Sequence, residues 1–581
     1  MKQSNVKILF AGLVAFTAVL VLAFHALAAG SATGGRLFDR AAAPAQQDAA
    51  PQAENDVLEA TNCRYGVGYV PDHPASLAWI PTLDAGWYIT FGAYGGSGVR
   101  SASFAPVIRV RQEILAGGVR TDKYNVIPPL AYSYRDDQGV LQDGLGTLIS
   151  RNPGHYWLVG NEVDVNNFVQ DNTMPQVYAR AYHDIYQYIK RVDPTAKVAI
   201  AGLSMMTPGR LQYLSIVWDT YRTLYGSDMP VDIWNMHLYI LEERNPGGPN
   251  NEYGDGKIAL GTDPALAKLS AQGNASLCPA PGAADTAAND PRQDVYCRSE
   301  HDSVRIFTEQ VRGMREWMKA HGQQNKPLII SEYGLLYAYV RDANGQYYVQ
   351  DEHGQPFAPA RVTEYLRDTI AYLENAKDPN LGYPADGNRL VQQWLWYSIV
   401  TGPETSGGSS NLINWDTFET AAPGDPAALT PMGQAFQQAS KASANWSNLV
   451  GGVAQNVVAL ARQDGKGSAL LTASFRNSGT LSVIAPVTVT FYRDQALTQV
   501  IGSAVYDPAT RGAVTGCSWG GRNGEQASIM WNNLPVGTYQ YWAKIDPANA
   551  IGETSDADNV TTMGTVTVRR YGTYVPLTNR Q

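Results

Sequence analysis

Short apolar runs alternate with amphipathic segments from residue 65 to about residue 440. In the segment after residue 175, Tyr178, Tyr182 and Ile185 recur at helical spacing and predict a helix with one buried face. Continuous apolar runs between helices are typical of parallel strands covered on both faces. The runs are 65–69, 87–91, 104–110, 156–160, 198–203, 233–239, 327–331 and 393–399.

Eight such strand–helix units predict an α/β fold, a (β/α)8 TIM barrel. A doubly wound open sheet is the alternative, but no glycine-rich phosphate loop follows the first run. Residues 111–150 have little regular pattern, and 241–300 form a Gly/Pro/Asn-rich insertion after the sixth run. In a barrel this insertion is either a wall of the cleft at the carboxyl ends of the strands or a solvated loop.

The two ends of the chain differ from this central part. After about residue 450, apolar and polar residues alternate, as in Val487, Thr488 and Val489, which predicts a β-sandwich over 448–573 behind a barrel domain at 57–447. Residues 1–28 combine lysines, a long apolar stretch and a small-residue cleavage site, which predicts a signal peptide or an uncleaved anchor. Residues 29–56 are an Ala/Pro/Gln-rich linker. We therefore expect a secreted or cell-surface anchored protein.

The composition of the chain limits the classes of ligand that it is expected to bind. The chain has 44 Lys+Arg and 53 Asp+Glu, a net charge of −9, which weighs against nucleic acid, while 33 Tyr and 13 Trp suit a neutral ligand. In an exported protein, Cys278 and Cys297 in one polar loop predict a local disulfide, and the pairing of Cys63 with Cys517 stays open. No CxxC motif or zinc-like His/Cys spacing occurs, so we assign no metal and no cofactor.

Two carboxylates carry the candidate chemistry. Glu162, in HYWLVGNEVD, ends the fourth predicted strand, and Glu332, in KPLIISEYG, ends the seventh. In a barrel, these strand ends face each other across one mouth. A carboxylate at the end of an apolar strand is costly unless it is paired, solvated or used in chemistry.

These segments resemble the retaining glycoside hydrolases of clan A, which carry Asn-Glu at the end of strand four and Glu at the end of strand seven. His237-Leu238-Tyr239 on the sixth run and Trp396 on the eighth match further family positions. GWYITFGA, FAPVIRV and the SEYG segment look most like Asl1-like catalytic cores. The chain departs from the family's common Asn-Glu-Pro because Val163 follows Glu162, which blurs the subfamily and the substrate.

The resemblance implies a role for each residue. Glu162 would be the acid/base and Glu332 the nucleophile, and the charge of Glu332 would keep Glu162 protonated. Substrate contacts are implied for Asn161, His237, Tyr239 and Trp396, of which Tyr239 would orient the nucleophile and Trp396 would stack under the sugar. Trp394 lies on the same strand face as Trp396, and Trp87 and Arg109 are weaker candidates.

Residues 470–570 resemble the immunoglobulin-like CARDB adhesion module. The matching pieces include Asn477-Ser478-Gly479 and Asp558-Asn559. Its role would be a spacer or a contact with the cell surface or a polysaccharide. The nearby acids Glu553 and Asp556 are interpreted as a solvated turn rather than a cation site.

Three functions compete on these grounds. The first is a secreted retaining glycosidase acting on a β-linked glycan. The second is a non-catalytic carbohydrate-binding or adhesion protein on a glycosidase-like barrel, which would have no need for both Glu162 and Glu332. The third is a barrel isomerase or lyase, which would bring metal ligands or a phosphate loop that the sequence does not show.

Overall fold

The computed structural model describes residues 58–68, 73–94, 99–244, 257–280, 294–517 and 525–570. All of them belong to one compact unit, Ala53–Gln581. The predicted signal peptide or anchor at 1–28 and the linker at 29–56 lie outside the described residues. Within the described ranges, no helix is both long and apolar enough to cross a bilayer.

Strands and helices alternate along the first three quarters of the described chain, in agreement with the α/β class. The strands are β1 (Asn62–Gly68), β2 (Ala85–Ile89), β3 (Ser103–Phe104), β4 (Val107–Ile114), β5 (Arg120–Ile127), β6 (Ser133–Arg135), β7 (Leu141–Asp143), β8 (Tyr156–Asn161), β9 (Lys197–Gly202), β10 (Trp234–Leu238), β11 (Leu269–Ser270), β12 (Val295–Tyr296), β13 (Leu328–Tyr333) and β14 (Gln393–Trp396). The α-helices are α1 (Leu145–Arg151), α2 (Pro175–Val192), α3 (Pro208–Tyr225), α4 (Val304–Ala320), α5 (Pro359–Asn375) and α6 (Pro431–Ala442).

Parallel pairing links the strands that the apolar runs predicted. β1 pairs with β2 on one side and with β14 on the other, and β13 lies between β14 and β10. On the other side, β2 pairs with β3, while β4 pairs with β8 and β8 with β9. An isolated parallel bridge from Ala199 to Ile233 joins β9 to the chain entering β10. The first and last strands of this series are therefore neighbours.

The third predicted strand differs most from expectation. It is split into β3 and β4, and β4 continues to Ile114 in an antiparallel hairpin with β5. A second hairpin, β6 with β7, and the helix α1 fill the rest of 111–150. β5 has polar and half-exposed residues along its length, which is why no apolar run indicated it.

Helix α2 shows why these segments fold as they do. Pro175 occupies its first turn, where the missing N–H costs no hydrogen bond. Tyr178, Tyr182 and Ile185 are buried on one face, as predicted, and the Tyr178 hydroxyl donates to the Val159 carbonyl across 2.7 Å. The helix is thereby fixed against β8, the strand that ends at Asn161.

Side-chain alternation along the strands produces two apolar layers. One layer packs the strands against the helices, and the other lies on the opposite faces of the same strands. This inner layer comprises Trp87, Ile89, Ala105, Val107, Tyr156, Leu158, Ala199, Ile233, Ile329 and Leu395. Trp87 thus fills the interior between the strands rather than a ligand site.

The C-terminal part is built mainly of strands arranged in two sheets, ordered β15-β17-β20 and β16-β22-β21-β18-β19. They are β15 (Leu449–Ala454), β16 (Val457–Leu460), β17 (Lys466–Asn477), β18 (Val487–Tyr492), β19 (Val500–Tyr506), β20 (Glu525–Pro535), β21 (Gly537–Ile545) and β22 (Gly564–Arg569), with a short helix α7 (Pro508–Arg511). Residues of both sheets, such as Phe475 and Phe491, share one apolar core.

Two disulfides crosslink the chain, one within a loop and one between segments that are distant in sequence. Cys278 pairs with Cys297, which confirms the predicted local bond, and Cys63 pairs with Cys517 across a sequence separation of 454. Cys63 lies near the amino end of β1, and its N–H donates to the Thr480 carbonyl across 2.9 Å. The C-terminal part is therefore attached at the amino ends of the parallel strands.

Candidate active site

Glu162 and Glu332 lie where the sequence predicted them, at the carboxyl ends of β8 and β13. Both are nearly enclosed, with exposures of 7% and 9%. Glu162 has a φ of 45°, in the left-handed region, and its N–H donates to the Gly202 carbonyl across 3.0 Å. The chain therefore turns sharply at Glu162 while its backbone stays bonded to β9.

His237 lies between the two glutamates. Its Nδ1 is 3.1 Å from Oε1 of Glu162 and 3.6 Å from Oε2 of Glu332. One oxygen of each carboxylate and one ring nitrogen all lie within 4.8 Å of one another. His237 is buried, and its ring fits because position 202 is glycine, where a Cβ would approach Cδ2 of His237 to 2.1 Å.

Tyr239 holds the second carboxylate. Its hydroxyl donates to Oε1 of Glu332 across 2.6 Å, and the tyrosine is itself buried. A hydroxyl donor stabilises the ionised form of a carboxylate. The structure therefore places Tyr239 in contact with the residue that the resemblance implies is the nucleophile.

The electrostatics differ from expectation in one respect. Burial raises the pKa of Glu332 to about 7, and the charge of Glu162 adds to this, while His237, the Tyr239 hydrogen bond and Arg109 oppose it. The resemblance implies instead that this repulsion acts on Glu162 and keeps it protonated. Burial lowers the pKa of His237, but attraction from Glu332 and the bond with Glu162 outweigh it, so that its pKa lies above the usual value.

Asn161 is held within the loop that follows β8. Its side-chain amide donates to Oε1 of Gln170 across 2.7 Å, and its N–H donates to Oδ2 of Asp171 across 2.8 Å. Asp171 also accepts from Nε of Arg109 at 2.5 Å, so Arg109 supports this loop. A contact between Asn161 and a sugar stays a prediction.

Trp396 is not placed as the resemblance implied. It is 0% exposed, and its indole N–H donates to the Ser410 carbonyl across 2.7 Å. The ring packs edge-on against Tyr333 in the layer between strands and helices. Trp394 is buried in the same layer. The face of β14 that carries both indoles is directed at the helices, so neither offers a surface to a sugar.

Tyr397 was missed by the sequence analysis. It follows Trp396, is partly exposed, and packs edge-to-face with Phe91 at a centroid distance of 5.7 Å. Burial raises the pKa of Tyr397, and the charges of Glu332 and Glu162 add to this rise. Leu395 belongs to the inner layer, and strand alternation from it could have indicated Tyr397.

Two groups of residues in the described ranges have metal-like geometry. One is Glu162, His237 and Glu332, whose ligand types suit a divalent cation but whose hydrogen bonds to one another and to Tyr239 also suit carboxylate chemistry. The other is Cys278, Cys297 and Glu352, where the disulfide removes the thiolates that would bind a metal.

No protein-family model matches the chain, and no curated protein matches it. Among solved structures, the chain is similar to a curdlan-specific GH128 exo-β-1,3-glucanase from Blastomyces gilchristii, with 11% identity, a TM-score of 0.32, and coverage of 64% of this chain and 97% of that one. A Bacteroides uniformis β-glucuronidase gives 10% identity, a TM-score of 0.30, and coverage of 88% and 46%.

A CARDB domain is also among the similar solved structures. A CARDB domain from Pyrococcus furiosus, solved with di-metal ions, gives 16% identity and a TM-score of 0.16, and covers 21% of this chain and 94% of that one. The neighbours are thus glycoside hydrolases and a CARDB domain at low identity. The finer resemblance to Asl1-like cores stays a prediction.

Proposed function

We propose that the chain is a glycoside hydrolase that cleaves β-glycosidic bonds of a polysaccharide or oligosaccharide with retention of configuration. The proposal rests on the approach of Glu162 and Glu332, because one carboxylate oxygen of each lies within 4.8 Å of the other. Retaining glycosidases have carboxyl groups about 5–5.5 Å apart, whereas inverting enzymes need room for a water between them at about 6.5–9.5 Å. The short separation favours retention.

In this mechanism Glu332 attacks the anomeric carbon as the glycosidic C–O bond breaks, and Glu162 transfers its proton to the departing oxygen. A water then enters, Glu162 removes its proton, and the resulting nucleophile displaces Glu332 from the anomeric carbon. Tyr239 holds Glu332 in line and stabilises its charge, and His237 supports both carboxylates. Asn161 and Tyr397 are the proposed sugar contacts.

The proposed architecture places this pair at one mouth. The parallel series that begins at β1 and ends beside it at β14 fits a (β/α)8 barrel domain at 57–447, and the two C-terminal sheets fit an immunoglobulin-like sandwich at 448–573. Catalytic residues of such barrels lie at the carboxyl ends of the strands, as Glu162 and Glu332 do.

We also propose that the protein acts outside the cytoplasm. The charged and apolar start of the chain is the main support, and the two disulfides are the second, because such bonds persist in oxidising compartments. The C-terminal part is attached at the strand ends opposite the carboxylates, so we propose a spacer or surface-contact role for it rather than a place in the reaction.

The test is a panel of β-linked polysaccharides and aryl β-glycosides scored for released sugar, with the first product followed by NMR. We expect cleavage of at least one substrate with the β-anomer released first, and loss of turnover in Glu332→Gln. Asp546→Asn is the matched control, since Asp546 is also buried but lies in the C-terminal part, outside the site. Near wild-type turnover by Glu332→Gln would contradict the nucleophile assignment.

A further inference from the structure

Arg210 is a buried charge outside the catalytic pair. It lies in the first turn of α3 and is 2% exposed. One guanidinium nitrogen is paired with the Asp164 carboxylate, Nε lies 2.9 Å from Oε1 of Glu243, and Nη2 donates to the Lys257 carbonyl across 2.7 Å. Each edge of the guanidinium therefore contacts a different segment of the chain.

Two of these segments carry the proposed catalytic groups. Asp164 follows Glu162 by two residues in the loop after β8. Glu243 follows Tyr239 by four residues in the loop after β10. Arg210 thus connects the loop of the acid/base to the loop of the residue that holds the nucleophile.

Glu243 and Lys257 both belong to the long insertion at 241–300. The described part of this insertion is bonded to the same network, because Lys268 donates its N–H to Oε2 of Glu243 across 2.9 Å. Leu260 donates its N–H to the Asp164 carbonyl across 3.0 Å. In this part, then, the insertion is fastened to the acid/base loop and is not a free solvated loop.

Stability alone does not account for this arrangement. Removing a guanidinium and two carboxylates from water costs as much as, or more than, their mutual attraction returns, and apolar side chains of similar volume often do as well. The planar guanidinium group of an arginine also fixes geometry, because its nitrogens hold several acceptors in one plane. A planar clamp between two catalytic loops fixes the positions of both.

We propose that Arg210 is a positioning residue that, through Asp164, holds Glu162 at its place in proton transfer to the leaving group. This inference rests on the proposed glycosidase function. Arg210 does not contact the substrate in this scheme. Its effect is transmitted by the two-residue connection from Asp164 to Glu162.

The test uses the dependence of rate on the leaving group. Dinitrophenolate leaves a 2,4-dinitrophenyl glycoside without taking up a proton. The leaving group of a phenyl glycoside needs a proton from the general acid, which accelerates the reaction about 10²–10⁴-fold. In Arg210→Lys and Asp164→Asn, we expect kcat/KM to fall about tenfold or more on the phenyl glycoside and about threefold or less on the dinitrophenyl one. Arg315→Lys is the matched control, because Arg315 is also fully buried but bonds Leu390, Lys326 and Gln392.

Folding is checked by circular dichroism and thermal unfolding for every variant. An equal loss on both glycosides, or the same leaving-group dependence in Arg315→Lys, would overturn the positioning role. If neither Arg210→Lys nor Asp164→Asn folds, the network is a stability element and the inference is wrong. A wild-type protein inactive on every glycoside tests a different statement, because it contradicts the proposed function itself.

Discussion

The hydroxyl of Tyr239 donates to Oε1 of Glu332 across 2.6 Å, although 93 positions separate the two residues. The parallel register of β10 and β13 makes this contact, since His237 lies opposite Glu332 and Leu238 opposite Tyr333. Two effects change the pKa of Glu332 in opposite directions. Burial raises its pKa to about 7, and the tyrosine hydrogen bond lowers it.

Tyr239→Phe should raise the pKa of Glu332, because it removes the donor that stabilises the ionised form. A hydrogen bond to a charged group contributes about 1.5–3 kcal/mol, so we expect the pKa of Glu332 to rise by about one to two pH units. The nucleophile must be ionised, and the acidic limb of kcat/KM against pH should therefore move to higher pH. An unchanged limb would show that the bond does not set the titration of Glu332.

Glu332→Gln should stabilise the protein at alkaline pH. The pKa of Glu332 rises from 4.5 in the unfolded chain to about 7 in the folded one. The unfolded chain therefore loses its proton first, and the free energy of unfolding falls as pH rises from about 4.5 to about 7. Glutamine has no such cost, so the variant should be more stable at pH 8 by up to roughly 3 kcal/mol, with no difference near pH 4.

Urea unfolding of both proteins at pH 4 and pH 8 measures this difference. A Glu332→Gln variant less stable than the wild type at pH 8 would contradict the charge burial assigned to Glu332. Asp546→Asn again serves as the buried control.

Glu162→Ala should lose general acid catalysis and recover part of its activity with azide on activated substrates. Removal of the side chain stops proton transfer to the leaving group and opens space for a small anion to attack the glycosyl-enzyme. The product to be measured is the β-glycosyl azide. An α-azide, or no rescue at any azide concentration, would remove Glu162 from the acid/base role.

The strand positions could be predicted because a strand covered on both faces is apolar along most of its length, as 156–160 and 328–330 are. The hairpin of β4 and β5 could not, because its polar residues give no such run. Glu162 and Glu332 were predictable from their places at strand ends. Arg210 was not, because its partners Asp164 and Glu243 are distant in sequence and only the folded chain brings them together.

The choice between Trp396 and Tyr397 at the end of β14 depends on a shift of one residue. Adjacent residues of a strand point to opposite faces. An assignment that is wrong by one residue therefore selects a side chain of the core instead of one that faces the site. The resemblance implies that Trp396 is the sugar platform, but the structure directs Trp396 at the helices, and the next residue, Tyr397, packs against Phe91 beside the inner layer. We therefore propose Tyr397, rather than Trp396, as the aromatic sugar contact.

Trp396→Ala and Tyr397→Ala should therefore have opposite signatures. Loss of the buried indole should lower the free energy of unfolding by about 3–5 kcal/mol while kcat/KM of the folded protein changes little. Loss of Tyr397 should lower kcat/KM about tenfold, as expected for a lost stacking contact of about 1.4 kcal/mol, with a smaller effect on stability. Thermal unfolding and steady-state kinetics separate the two, and a reversed pattern would restore Trp396 as the ligand contact.

Removal of the two disulfides should have different effects on stability and on activity. Cys63→Ala with Cys517→Ala removes a crosslink over 454 residues, and the double variant should lose about 2–5 kcal/mol of unfolding free energy. Because this bond lies at the amino ends of the strands, kcat/KM should not change. The matched pair Cys278→Ala with Cys297→Ala closes only 19 residues and should cost less stability. It lies in the insertion fastened to the acid/base loop, so that this pair, and not the first, should lower activity.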